Sequence, residues 1–503
     1  MNQFADLARS ARPTRASCHP RKRRRPGSPT SGTAWLRGGQ YPSHLPSWGL
    51  MRADVAEIDN VQLSRRSFGA GLLGVVLAGC SSADPGDSPK LTSGPVPSWS
   101  PPAHPRPLRP DVVLPTQFSS PRPTLMTDVL IFDGEVLRGP TDLFLQDGLI
   151  SRVGEGPVPS GAEVVNGGGN TVLPGLIDSH VHYDPPTALI PSAVRFGVTT
   201  QLDLYSAPDP KRTAELKRTG MLEESDLITA GFLATAPGGH PPRNSDLPRL
   251  EHPEETESWV DARVEEGSEF IKVVVESTDM PTLRPETVSA LVQAAHNRGL
   301  IVVAHANFLD DVTVAVEAGI DGLAHALAAP AYPDELLTRM VDQQVFVTTT
   351  MGIIHDSADR EILRDPLMEA LSASARAHLG RGLRGYTDLF DPQELRQSVQ
   401  QAFQAGVPVL AGTDAPNLGT LPGVGLLVEL DLLVLAGLSP VEALRSATSA
   451  PATSWGLHDR GRIHPGLRAD LVLVEGNPTE DITALRRVVR TFRLGHAVEP
   501  LTT

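Results

Sequence analysis

Between residues 172 and 412 short apolar runs of strand length alternate with longer stretches whose apolar residues recur every three or four positions. A strand buried on both faces reads as a continuous apolar run, so this alternation predicts βα units on a parallel sheet or barrel. Eight strands are placed: Val172–Ile177, Thr199–Leu204, Leu227–Gly231, Phe270–Val275, Leu300–Ala304, Gly322–Ala324, Gln344–Thr348 and Val407–Gly412. The helices between them include Pro285–Arg298, Leu309–Glu317, Glu335–Gln343 and Pro392–Ala405. In the first of these Val288, Leu291 and Val292 share one face. The expected fold is α/β, a (β/α)8 barrel of the TIM type over 172–460.

A different pattern flanks this region. Asp128–Phe132, Asp142–Leu145 and Leu149–Val153 are short β-type runs separated by Gly and Asp turns, and Ala469–Val474 and Arg487–Phe492 repeat the pattern near the C-terminus. They predict a small β-sheet unit completed from both ends, 124–171 and 461–503. Residues 81–123 are rich in Pro and Ser and read as an extended tether. The apolar stretch Gly69–Leu77 is about half of the ~20 residues a membrane-spanning helix requires, which suits a signal segment.

Charge divides the chain in the same place. Residues 1–79 carry 12 Lys/Arg against 4 Asp/Glu, a net of +8, which leaves −23 for the rest of a chain whose total is −15. An acidic body disfavours nucleic acid as a partner, because phosphate binding needs the opposite sign. The run Arg21–Arg25 lies in residues 1–50, which read as a disordered segment upstream of a start at Met51. The only cysteines, Cys18 and Cys80, fall outside the expected folded body, so no disulfide framework is expected.

Candidate chemistry collects at the ends of the predicted strands. His180 and His182 follow the first, Lys272 lies in the fourth, and His305, His325 and Asp414 close the fifth, sixth and eighth. Barrel enzymes carry their chemistry at that end of the strands. Residues two apart on an extended strand face the same side, so His180 and His182 point inward together. A lysine within Ile271-Lys272-Val273-Val274-Val275 is unusual, since burying an ammonium costs several kcal/mol unless it is paired or neutralised. Jointly these residues predict a metal site.

Over residues 125–495 the chain resembles the amidohydrolase superfamily, in its binuclear branch with a lysine ligand. The matching segments are Pro174–His182, Phe270–Val273, Val303–Ala306, Gly322–His325, Ala411–Asp414 and Gly461–Val472, the last resembling that family's return into a small β-sandwich formed by both ends of the folded region. The resemblance implies that His180, His182 and Asp414 bind one divalent metal and His305 and His325 another, with Lys272 bridging them as a carbamate formed with carbon dioxide. Zinc suits imidazole and oxygen ligands, and manganese, iron or cobalt are alternatives. A hydroxide shared by the metals would be the nucleophile, and Asp414 would carry its proton to the departing amine.

The implied activity is hydrolysis of a C–N amide bond in a small molecule such as an N-acyl amino acid or dipeptide, as in prolidase-like relatives. The same site could serve a lactonase or phosphoesterase, and a non-catalytic binding lipoprotein is a further alternative. Pro237-Gly238-Gly239-His240 resembles a substrate-binding segment of this branch, with Pro241-Pro242 standing where another Gly is usual; Gly239 and His240 are the expected contacts. Tyr183 and His355 are further candidates.

The leader, 1–80, resembles a twin-arginine signal with a lipobox over 51–80: Ser64-Arg65-Arg66-Ser67-Phe68, then Leu77-Ala78-Gly79-Cys80, with Gly69 where Leu is usual. That implies export by the twin-arginine or the general secretory route, lipid on Cys80 and a protein held on the outer face of a bacterial cytoplasmic membrane, either as a monomer or as a homo-oligomer.

Overall fold

The computed structural model describes residues 120–501, apart from 184–186, 188–191, 207–221, 242–246, 278–279, 355–360 and 381–389. The leader with its basic run and Cys80, nearly all of the tether, and His355 lie outside the described residues.

The described chain opens with β1 (Thr124–Phe132), β2 (Leu137–Gln146), β3 (Leu149–Val153), β4 (Glu163–Asn166) and β5 (Thr171–Pro174). Strands β1 to β3 form an antiparallel meander. The turn after β1 is set by Asp133, whose Oδ1 accepts from the backbone N–H groups of Glu135 and Val136 at 2.9 Å each. On its other edge β1 pairs in parallel with β4 over Thr124–Thr127 and with β5 at Leu130–Ile131, and Asp128, at φ 55°, stands where it changes partner.

Eight parallel strands follow: β6 (Leu176–Val181), β7 (Val198–Asp203), β8 (Asp226–Thr229), β9 (Ile271–Val274), β10 (Val302–His305), β11 (Gly322–Ala324), β12 (Phe346–Thr348) and β13 (Val409–Leu410). Each expected strand is present, with one correction. Val172–Ile177 is not a single element: Thr171–Pro174 joins the flanking sheet as β5, and the inner strand starts at Leu176. Pro174-Gly175 makes the break, and Gly175 is required there because a Cβ would lie 2.2 Å from Thr199 Oγ1.

A second correction concerns closure. Among the described residues the strands form two parallel sheets, β6-β7-β8 and β9-β10-β11-β12-β13, not one continuous ring. Single bridges stand at the two seams, Val181 with Ala415 and Ala234 with Val273. Each interruption has a backbone cause: Asp414 (φ 55°) breaks extended geometry after β13, and Gly231 (φ 64°) does so after β8.

β14 (Leu471–Val474), β15 (Val488–Arg493) and β16 (His496–Val498) return to the first sheet, where β14 pairs antiparallel with β5. Both ends of the chain therefore share a sheet, as the flanking runs predict. The hydrogen bonding makes it one eight-stranded sheet in the order β16-β15-β14-β5-β1-β2-β3 with β4 beside β1, where a two-layer sandwich was expected.

Side-chain alternation explains how the strands carry a site. In β9 and its extension Ile271, Val273 and Val275 pack against the outer helices, including Val288, Leu291 and Val292, while Lys272 and Val274 face the pocket. In β10 Val302 and Ala304 face the helices, and Val303 and His305 face inward. Below the pocket the interior is filled by Phe270, Phe346 and Trp455, whose indole meets Phe270 edge-on at 4.9 Å. Helix Val424–Leu435 is almost wholly apolar and buried, and its one buried carboxylate, Glu429, accepts from Thr349 Oγ1 and from the N–H groups of Met351 (2.9 Å) and Gly352 (2.7 Å).

Candidate active site

His180, His182, Lys272, His305, His325 and Asp414 converge on one pocket at the C-terminal ends of the parallel strands. His182 is pinned from outside: its Nδ1 lies 2.7 Å from the carbonyl oxygen of Tyr205. A carbonyl can only accept, so Nδ1 carries the proton and Nε2 presents a lone pair in the neutral ring. That Nε2 lies 2.7 Å from Asp414 Oδ1, and His180 Nε2 lies 3.1 Å from the same oxygen. Lone pairs so close need a positive charge between them, either a proton or a metal ion. Burial opposes charging His182, but Asp414 overcomes it and raises the imidazole above its ordinary range. Burial alone would raise Asp414, yet His180 and His182 together hold it well below the usual carboxylate range.

On the far side His325 Nε2 faces His305 Nδ1 at 2.9 Å, and His325 Nδ1 faces Thr350 Oγ1 at 2.8 Å. His325 stands at φ 99°, Asp414 at φ 55° and Thr350 at φ 46°. Left-handed backbone at a non-glycine residue costs on the order of 1–3 kcal/mol and is held only where the surroundings enforce it. Each of these three residues aims its side chain into the pocket or orients one that does.

Lys272 sits between the two histidine groups in sequence and is 2% exposed. Its Nζ has no hydrogen-bond partner, and burial pushes the amine down to about 7. An amine that gives up its proton near neutral pH and has nothing to bond to is a poor structural choice and a good nucleophile or ligand precursor.

Two trios bring ligand atoms to within 4.8 Å of one another: His180, His325 and Asp414, and His240, Glu276 and His305. The resemblance pairs His325 with His305; the geometry places it against both groups. A profile of the amidohydrolase family matches residues 171–498. The chain belongs to the amidohydrolase family.

Amidohydrolases typically bind a divalent metal, and the donor set here, all imidazole and carboxylate beside an unpartnered amine, fits one. Ochratoxinase of Aspergillus niger is 28% identical over 243 residues, 46% of this chain and 45% of that protein, so the chain spans about half the length of this relative. Enamidase of Eubacterium barkeri is 24% identical over 365 residues, 67% of this chain and 83% of the enzyme. Among solved structures a Xaa-Pro dipeptidase with bound methionine superposes with TM-score 0.61 at 23% identity, covering 75% of this chain and all of the other. The structure of A. niger ochratoxinase gives 0.58 at 20%, covering 76% and 96%. At such identities these structures speak for the fold alone.

The expected substrate contacts fare unevenly in this amidohydrolase. His240 lines the pocket, stacked on His305 with ring centres 5.0 Å apart, and burial followed by His305 lowers it to about 4. Gly239 is not in the pocket wall: a Cβ there would lie 2.6 Å from the Pro281 carbonyl oxygen, so the glycine serves close backbone packing. Tyr183 is not in the wall either. Its hydroxyl donates to Glu224 at 2.7 Å and its N–H to Asp203 at 3.1 Å, which hold it beside β7 and β8, while Tyr205 lines the pocket.

Several residues escaped the sequence reading. Asp178 is buried under His180 and accepts from the N–H groups of His180 (3.2 Å) and Thr413 (3.1 Å) and from Thr413 Oγ1 (2.8 Å), replacing ladder bonds across the interrupted seam. Glu276 and Asn307 flank His305, and each lies at even spacing from a residue already singled out, Lys272 and His305. Period two was the available signal.

Proposed function

We propose that this chain is a metal-dependent hydrolase that cleaves a carbon–nitrogen amide bond in a small molecule, an N-acyl amino acid, dipeptide or related amide. The observation that carries the reading is His182: its outer nitrogen is committed to the Tyr205 carbonyl, and its inner lone pair faces the Asp414 carboxylate at 2.7 Å. Such an arrangement is built for a cation. His180, His182 and Asp414 would hold one divalent ion, His305 and His325 a second, and Lys272 would bridge them as a carbamate. Bound zinc ions would lower the pKa of a coordinated water from about 15.7 to about 7 and polarise the amide carbonyl.

The remaining work falls to the chain. Lys272 has the free amine that addition to carbon dioxide needs: its nitrogen bonds to the carbon and releases a proton, and an anion with two oxygens results. Asp414, kept ionised by its two histidines, accepts the proton of the attacking water and returns it to the departing nitrogen. His240, in the pocket wall, contacts the substrate. The names ochratoxinase and enamidase among the relatives support amides as the substrate class.

The reading extends to the whole chain. The two parallel sheets are read as a (β/α)8 barrel meeting at its two bridged seams, and the eight-stranded sheet as the small β domain beside it. Lipid on Cys80, supported by Leu77-Ala78-Gly79-Cys80, would tether the enzyme to the outer face of the membrane.

A substrate panel tests the reading. Metal-loaded protein, expected to carry two ions per chain, should cleave N-acyl amino acids and dipeptides faster than lactones or phosphotriesters. The reverse ranking sinks the amide assignment, and a single ion per chain with an unmodified Lys272 sinks the bridged pair.

A further inference from the structure

We propose that Glu276 is a positioning residue that holds the His305 imidazole from outside and turns its Nδ1 lone pair into the metal site. The proposal rests on the metal-site reading above.

The fold delivers Glu276 to that place. β9 and β10 pair with Val274 opposite His305, and the strand direction continues one step further, where the Val275 N–H donates to the His305 carbonyl at 2.9 Å. Side chains at 272, 274 and 276 then share a face, so the carboxylate arrives beside the ring two positions beyond Val274. The Glu276 N–H donates to Thr282 Oγ1 at 3.0 Å, which fixes the backbone at that point.

Glu276 Oε2 lies 3.2 Å from His305 Nε2, and both side chains are about nine-tenths buried, at 12% and 9% exposure. A carboxylate can only accept, so it places the single proton of a neutral imidazole on Nε2 and leaves Nδ1 as a lone pair. Nδ1 is the atom that faces His325 Nε2 at 2.9 Å. Asn307 Nδ2 lies 3.0 Å from the same Nε2, and turning that amide over by 180° puts its oxygen there as a second acceptor.

The same device recurs around the pocket with different partners. The Tyr205 carbonyl fixes His182, and Thr350 Oγ1 fixes His325. Of these three rings only His305 has an anion as its outer partner, a charge-assisted contact that orients the ring more firmly than a neutral acceptor. Glu276 also lies 3.6 Å from His240 Nδ1, so one carboxylate links the stacked pair His240 and His305. A cation seated among His240, Glu276 and His305 would instead take Nε2 of His305 as a ligand and leave its proton on Nδ1, against His325. The two arrangements are mutually exclusive, which makes the assignment testable.

The test titrates metal-free full-length protein with cobalt(II), following visible absorption and heat, in wild type, Glu276→Gln, Glu276→Asp and His305→Ala. The expected result for Glu276→Gln is an unchanged number of ions, one of them bound about 10–100-fold more weakly with an altered cobalt spectrum. Thermal unfolding of the metal-free protein should match wild type, and Glu276→Asp should recover part of the affinity. Wild-type binding of both ions by Glu276→Gln overturns the proposal. So does loss of one whole equivalent in Glu276→Gln with the other unaffected, since that makes Glu276 a ligand. Wild-type protein that binds no cobalt would reject the metal-site reading itself, before any variant is compared.

Discussion

The parallel strands carry a buried polar cluster at each end, and the two are built on opposite rules. At the N-terminal ends of β7 and β8, Arg460, Arg468 and Arg493 meet Asp226, Asp459 and Asp470, three guanidiniums against three carboxylates. Arg460 Nη1 lies 2.7 Å from Asp226 and its Nε 2.7 Å from Asp459, Arg468 Nη2 lies 2.9 Å from Asp470, and Arg493 Nη1 lies 2.7 Å from Asp470. The cluster neutralises itself. At the C-terminal ends, Lys272 Nζ and His180 Nδ1 are buried without hydrogen-bond partners, and lone pairs confront one another. One end balances its charges as folded, with Arg468 Nε its one buried polar atom left unbonded among the described residues, and the other leaves an amine and an imidazole nitrogen without a partner. That contrast separates a structural polar core from a functional one more cleanly than burial does, since both are buried.

The largest difference between the ends should appear when one carboxylate is removed from each. Asp414→Asn keeps the size of the side chain and takes away its charge, its basicity and its capacity as an anionic ligand. Turnover of metal-loaded protein should fall by roughly 10⁴-fold or more, over about 5 kcal/mol of barrier, while unfolding of the metal-free protein changes little. Steady-state rates and a melting curve decide it. A variant within tenfold of wild type would mean that the proton passes through another group.

At the opposite end the order reverses. Arg468→Met removes the guanidinium that touches Asp226, Asp459 and Asp470 and leaves buried carboxylates short of a partner. Loss of one member of a buried ion network costs about 3–5 kcal/mol. Urea unfolding should register that loss, with kcat per folded molecule unchanged. If activity falls with stability intact, the base of the strands is coupled to the site and the division between the two ends fails.

The same contrast explains what was legible in the sequence. The strands were, because each is a short run buried on both faces, and His180, His182, Lys272, His305, His325 and Asp414 were, because polar residues at the ends of such runs stand out. Asn307 was one period-two step from His305 and Glu276 two from Lys272, but a Glu or Asn past a strand end looks like any loop residue until the register of β9 against β10 is known. The arginine cluster was invisible: Asp226 lies more than two hundred residues before Asp459, and its charges read as ordinary surface until β14 and β15 fold back. The split at Gly175 was missed because an apolar run carries no mark of which sheet it joins. Strain at Asp414 and His325 is a property of φ, which residue identity alone does not announce.

Acid titration should separate the ends more subtly. Burial would raise Asp459 and Asp470, but Arg460 and Arg468 at the first, and Arg468 and Arg493 at the second, hold both below their ordinary value of 3.8. A carboxylate whose folded pKa is depressed stabilises the fold fully above the unfolded value and loses that contribution as pH falls through the folded one. The window therefore opens near pH 4 and extends downward. At the unfolded pKa each of the two carboxylates has cost the fold only about 0.4 kcal/mol, and the loss then steepens toward about 1.4 kcal/mol per pH unit for each. Metal-free protein, in which the other end has no ion to lose, should show a flat unfolding free energy from these groups above pH 5 and a decline below 4 that Asp459→Asn makes shallower. A decline of the same slope in that variant would place the acid sensitivity elsewhere and leave the basal cluster as packing alone.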